Sequence, residues 1–242
     1  MEEDLINLKT KIANEFWKVK FTEIGQLVEP RKKKKALKVL SLTNSRNTEE
    51  VKILTCEHIS SKSNLFAWCN DSIESLSLAS ESKYNDIIDD TKFEETLLNC
   101  PTHKIDGCFP FHIFNMDFTS QSPESANGRM EKELHSIEKV IEKQKSVNSP
   151  SSWLMLFTTL IDNKPIDADE IVRNSDTFSR GGWDGLALSK TGSVNVRAEI
   201  KAILLEFFEK IKDKYGLNVT IDSFTKPIDI NEVFSISIMV KN

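Results

Sequence analysis

Three side chains in the second half of this sequence have the types and spacing to handle a phosphodiester: Asp184, Glu199 and Lys201. Asp184 opens a short apolar run, a turn containing Gly192 follows, and a second run from Val194 to Lys201 alternates apolar and polar residues. In an extended backbone, Val194, Val196, Ala198 and Ile200 share one face and Asn195, Arg197, Glu199 and Lys201 the other. Glu199 and Lys201 then stand together, with Asp184 on the partner strand of a hairpin. Two carboxylates offer hard oxygen ligands to Mg²⁺. The metal would polarise the phosphodiester and acidify a bound water, and the lysine would orient that water or stabilise charge building on phosphate.

An acid followed by a Glu-x-Lys strand and then a helix resembles the restriction-endonuclease-like superfamily, written PD-(D/E)XK. The resemblance covers Glu170 to Leu205 and does not reach the rest of the chain. It implies a metal-dependent nuclease that cleaves DNA or RNA, with Asp184 and Glu199 on the metal and Lys201 as a catalytic cation. It also implies that Glu170, on the preceding helix, joins the site. Trp183 stands where the superfamily usually has proline.

A second reading of the same residues stays open. Val196, Ile200, Ile203, Leu204, Phe207, Phe208 and Ile211 form a stripe of helical period, and Ser193 is a competent N-cap. One helix from about Val194 to Tyr215 would turn Glu199 and Lys201 about 200° apart around its axis, too far to share a cation. The β-branched Val194 and Val196 favour the strand. A non-catalytic binding or assembly protein is the functional alternative, with the C-terminal strand offering a sheet edge to a protein partner or a second copy of the chain.

Charge is informative mainly where it clusters. The net charge of −5 argues against a wholesale polyanion binder. Arg31, Lys32, Lys33, Lys34 and Lys35 form a basic run, read either as a solvated charge run or as a nucleic-acid-binding edge with salt-dependent affinity. With Pro30 ahead of it, the run also has the composition of a nuclear import signal. No apolar run approaches the roughly 20 residues a bilayer span requires, and the acidic start lacks the pattern of a secretory signal. The expected setting is intracellular: cytoplasmic, or nuclear in a cell with a nucleus, and away from membranes.

Cys100, His103, Cys108 and His112 have the spacing of a compact zinc site. Phe109, Phe111, Ile113 and Phe114 around the last two favour core cysteines instead. Glycine is scarce, 8 in all, and never spaced as a dinucleotide fingerprint or Walker A loop, which argues against a nucleotide-driven motor or a dinucleotide oxidoreductase. Asp117-Phe118-Thr119 follows a strand candidate, but Gln121 spoils its match to a metal-dependent adhesion site.

The elements that must position these groups follow from periodicity. Leu5, Leu8, Ile12, Phe16 and Val19 predict an amphipathic helix over 3–20. Ala36–Leu42 and Val51–Cys56, separated by a polar stretch, predict a β-hairpin. A short helix is expected over 84–98, a strand over 109–118 and a helix over 122–145. Trp153–Ile161 is continuously apolar and predicts a strand covered on both faces. A helix over 165–178, a strand over 184–189, a helix over 202–215 closed by Gly216, and strands over 217–223 and 233–240 complete the pattern. Strands alternating with helices imply an α/β (α+β) protein, a mixed sheet flanked by helices with an N-terminal helix and β-hairpin region. Its expected division is an accessory region, 1–102, and an α/β domain carrying the candidate site, 103–242.

Overall fold

A computed structural model describes residues 7, 10–28, 37–42, 49–57, 59–69, 84–89, 93, 96–97, 104–118, 126–147, 150–161, 196–228 and 231–241. Seven strands form one mixed sheet: β1 (Val39–Leu42), β2 (Leu65–Trp68), β3 (Asp86–Asp89), β4 (Ile113–Asp117), β5 (Ser152–Ile161), β6 (Val219–Ile228) and β7 (Asn231–Lys241). Their order across the sheet is β3-β2-β1-β4-β5-β7-β6. The pairs β3–β2, β2–β1, β1–β4 and β4–β5 are parallel, whereas β7 runs antiparallel to both neighbours. The expected α/β architecture, a mixed sheet flanked by helices, is therefore present. Strands from either side of residue 102 are hydrogen-bonded in the same sheet, β1 beside β4.

The two faces carry separate cores. On one lies α1 (Lys18–Val28), continuing from a π-wound segment Ala13–Trp17, together with α2 (Glu49–Cys56). These helices bury Phe21, Ile24, Val51 and Leu54 against Val39, Ile113, Leu154, Val233 and Met239. On the other lie α3 (Ala126–Ser146) and α4 (Val196–Tyr215), packed on Leu40, Phe114, Met155, Phe157, Ile236 and Ile238. Alternation along each strand sends successive side chains to opposite cores. That explains why β5 is apolar almost throughout and buried on both sides.

Three departures from the sequence reading have physical causes. Val51–Cys56 is helix, not the second strand of a hairpin. β1 pairs in parallel with β2, and parallel neighbours need a crossover, which α2 supplies. The run therefore winds so that Val51 and Leu54 reach the core together. Within 84–98, the segment Asp86–Asp89 is an edge strand. Finally, Val19, a member of the apolar stripe by its spacing, is 48% exposed. The π winding lengthens the turn there, so the buried line runs through Ala13, Trp17 and Phe21, and Lys20 is drawn inward.

Helix α4 ends as its sequence requires. Gly216 has a φ of +58°, the left-handed conformation that favours glycine. The N–H of Leu217 donates to Lys212 O at 2.9 Å and that of Gly216 to Asp213 O at 3.3 Å, the paired bonds of a Schellman stop.

Candidate functional site

The span on which the metal site depended is helical. Val196 to Lys201 is the first part of α4, so positions 199 and 201 lie about 200° apart around the axis and no Glu-x-Lys strand exists. Ile203, Leu204, Phe207, Phe208 and Ile211 all insert into the core. Burying that period-3.6 stripe outweighs the β preference of the two valines. Lys201 instead pairs with Glu232 of β7 and lies 5.7 Å from the centroid of the Phe234 ring. Asp184 and Glu170 lie outside the described residues, as do Arg31, Lys32, Lys33, Lys34 and Lys35. Among the described residues, no three metal-ligating side chains gather. Of the zinc pattern, Cys100 and His103 fall outside them. His112 accepts the Lys38 backbone N–H on Nδ1 at 3.1 Å, and Cys108 sits on a 3₁₀ turn, Lys104–Cys108.

What the fold does assemble lies at its reversal of strand order. From β1 the chain moves outward to β2 and β3, returns to β4 and then moves outward the other way. Open α/β sheets bind ligands beyond the carboxyl ends of the strands at such a switch, here β1 and β4. The polar groups there follow from strand parity. Ser41 is paired with Asn115, and Asp117 with Thr158. All four share the face of Val39 and Ile113, beneath α1 and α2. Thr158 in turn faces Ser235 across the antiparallel β5–β7 pair.

This polar island is buried, which makes each of its partners consequential. Glu50, in the first turn of α2, is 1% exposed. Its Oε1 accepts from Tyr84 Oη at 2.6 Å and from Ser41 Oγ at 3.2 Å. Asn115, also 1% exposed, donates from Nδ2 to Ser41 Oγ at 3.5 Å. Thr158 Oγ1 and Ser235 Oγ are 2.7 Å apart. Among the described residues, Asn115 Oδ1 and Ser237 Oγ have no hydrogen-bond partner. Asp117, buried at the carboxyl tip of β4, completes the set.

The island is rich in acceptors and, among the described residues, contains no cation. No glycine occurs between Gly25 and Gly107, so the β1–α2 connection has no glycine-rich turn of the dinucleotide-binding kind. Sequence reasoning registered Asp117 but missed Asn115, Ser41 and Glu50. Their signal was a polar residue inside each of two short apolar strands, which only the pairing register makes coherent. A second cleft of about 270 Å³, at the opposite edge, is lined by Glu23, Gln26, Leu27, Thr220, Asp222, Met239 and Lys241. There Glu23 and Asp222 are both committed to Lys20.

No family model and no curated protein matches this chain. Several solved structures are similar in shape. The O-methyltransferase TomG from Streptomyces achromogenes, in complex with SAM, has a TM-score of 0.48 at 10% identity, covering 98% of this chain and 89% of that one. An O-methyltransferase from Bacillus cereus in complex with SAH has a TM-score of 0.47 at 10% identity, with coverages of 93% and 81%. TYW2 of M. jannaschii in complex with AdoMet has a TM-score of 0.45 at 6% identity, with coverages of 92% and 74%. These similarities are too distant to transfer an activity to this chain.

The nuclease expectation is corrected by the fold: the Glu-x-Lys strand is a helix, on which positions 199 and 201 lie too far around the axis to share a cation. The Mg²⁺ expectation goes with it. Among the described residues, no helix is long and apolar enough to cross a membrane.

Proposed function

We propose that this chain binds a phosphate-free nucleoside of the S-adenosylmethionine type at the carboxyl edge of β1 and β4 and acts in methyl transfer. The observation that carries this reading is the acceptor-rich polar island at the strand-order switch. Among the described residues at this edge the polar groups are hydroxyls, carboxylates and an amide. A ligand whose polar groups are hydroxyls, amines and a cationic centre suits carboxylates and amide oxygens. S-adenosylmethionine has that composition, and when bound it supplies an electrophilic methyl group on its sulfonium.

The chain's own residues would act by binding and orientation. Asn115 Oδ1 is the acceptor left over for a ligand hydroxyl or amine. Asp117, at the tip of β4, would accept a second such donor or face the cationic centre. Glu50 would hold Ser41 and Tyr84 in place, so that the floor of the crevice is set before a ligand arrives. Burial under α1 and α2 keeps water from competing for these acceptors. The methyl acceptor is either a nucleic acid or a small molecule.

Calorimetric titration with S-adenosylhomocysteine tests the reading. A Kd of about 100 µM or tighter is expected, with NAD and ATP at least tenfold weaker and Asp117→Asn weakening the nucleoside. No heat at about 1 mM nucleoside, or preferential ATP binding, overturns it. A labelled-methyl assay offering RNA, DNA or a mixture of small hydroxylated acceptors then separates the substrate classes.

A further inference from the structure

The rim of the sheet carries a long strand with one side open. β6 lies at the edge, and among the described residues only β7 pairs with it. The carbonyl of Asn218 accepts from the N–H of Lys241 at 2.8 Å. Even-numbered positions here therefore turn their backbone groups to β7, and odd-numbered positions turn theirs outward. Val219, Ile221, Ser223 and Thr225 present both N–H and C=O to the outside, whereas Pro227 presents a carbonyl only. Side chains alternate as well, and Asp222, Phe224 and Lys226 share the face beneath α1. There Phe16 stacks on Phe224 with ring centroids 5.5 Å apart, Lys20 pairs with Asp222, and Glu15 pairs with Lys226.

We propose that two copies of this chain associate through β6, edge to edge and antiparallel, about a two-fold axis at Phe224. Charge selects the register, because residues directly opposite across an antiparallel pair interact. An axis at Phe224 sets Asp222 of each copy against Lys226 of the partner subunit. An axis at Asp222 sets carboxylate against carboxylate, and one at Lys226 sets ammonium against ammonium. An axis at Ser223 or Thr225 leaves both charges facing neutral residues. With the axis at Phe224, Ser223 exchanges two backbone bonds with Thr225 of the partner subunit, and Thr225 does the same with Ser223 of the partner subunit. Ile221 donates to the carbonyl of Pro227 of the partner subunit, giving about six intermolecular bonds in all.

Lysine and proline on an edge ordinarily discourage pairing. Here both sit toward one end of β6, where the lysine meets an acid and the proline costs one donor per copy. The charges also continue beyond the seam. Lys20, Asp222, Lys226 of the partner subunit and Glu15 of the partner subunit alternate in sign. A two-fold axis normal to the sheet places both α1 helices on one face, beside the seam. Val19 and Leu27, 48% and 42% exposed, lie with Glu23 along one line of α1, the apolar surface such a seam covers. β5 and β7 separate this edge from β4, so the association does not depend on the nucleoside reading.

Sedimentation velocity of the full chain at about 1–100 µM tests the proposal, with a dimer Kd of about 10 µM or tighter expected. Association should weaken as salt is raised. Asp222→Lys and Lys226→Glu should each weaken it at least about tenfold. An equimolar mixture of those two variants should restore it, because every pair across the seam is again of opposite charge. Thr225→Pro removes an outward N–H while leaving both charges and the β7 bonds in place, and should yield a monomer with the parent Tm. A parent that is monomeric at about 100 µM, a dimer that survives Thr225→Pro, or a mixture of folded charge variants that stays monomeric overturns the proposal. Thermal unfolding of the same samples reports folding, and Thr225→Pro carries the decision if a charge variant does not fold.

Discussion

Replacing Lys201 with alanine separates a structural role from a catalytic one. In the fold, Lys201 pairs with Glu232, and the two side chains are 24% and 10% exposed. Truncating one partner of a buried pair costs about 3–5 kcal/mol, because the other charge is left without compensation. Water reaches the lysine end, so the expected loss is smaller, about 2 kcal/mol, with the Phe234 contact contributing a few tenths of that. For a chain of this size each kcal/mol moves Tm by about 2–4 °C, giving a fall of about 4–8 °C. Urea denaturation of Lys201→Ala, Glu232→Gln and the double variant should show a coupling energy of about 1 kcal/mol. If Lys201→Ala unfolds at the parent midpoint, or the two changes add without coupling, the α4–β7 pairing is wrong. Lys201→Met should recover part of the loss, since it keeps the apolar stem while removing the charge.

Other expectations are equally direct. Gln144 bridges Phe111, accepting from its N–H at 3.1 Å and donating to its carbonyl at 2.7 Å; Gln144→Leu should cost about 2–4 kcal/mol in chemical denaturation by stranding both groups. Gly216→Ala should lower stability by about 1 kcal/mol, read as a shifted midpoint, because φ is positive there. Burial, reinforced by the Glu138 carboxylate, pushes the Tyr215 phenol far up. The neutral phenol is favoured in the folded state, so its contribution is present below about pH 10 and is lost as pH rises from there toward the folded value. Tyr215→Phe should therefore flatten the alkaline limb of a stability–pH profile; an unchanged limb would refute that assignment.

The sequence was most legible where one physical demand dominated. Trp153–Ile161 had no polar side to offer and became the doubly buried β5. Gly216 marked the end of α4 because few other residues take its backbone conformation. Legibility failed where two periods fitted the same residues. Val194–Lys201 alternates locally as a strand, yet its apolar members continue an α stripe into Phe207 and Phe208, and only the depth of the core decides between them. Val51–Cys56 failed for a related reason, since an apolar run of that length serves either as a strand or as a crossover. The candidate site was the least legible part. Ser41, Glu50 and Asn115 are far apart in sequence and ordinary in type, and they meet because β1 and β4, distant along the chain, are neighbours.

The placement of β7 has a consequence for synthesis. β6 lies at the rim and touches the sheet through β7 alone, although β6 leaves the ribosome first. Until residues 231–241 emerge, β6 has no seat and β5 has a bare side, with Leu156 and Phe157 awaiting cover. The nascent protein must therefore hold the apolar strand β5 in reserve until residues 231–241 have followed it. That interval is when a holdase would serve it best and when aggregation would compete most strongly.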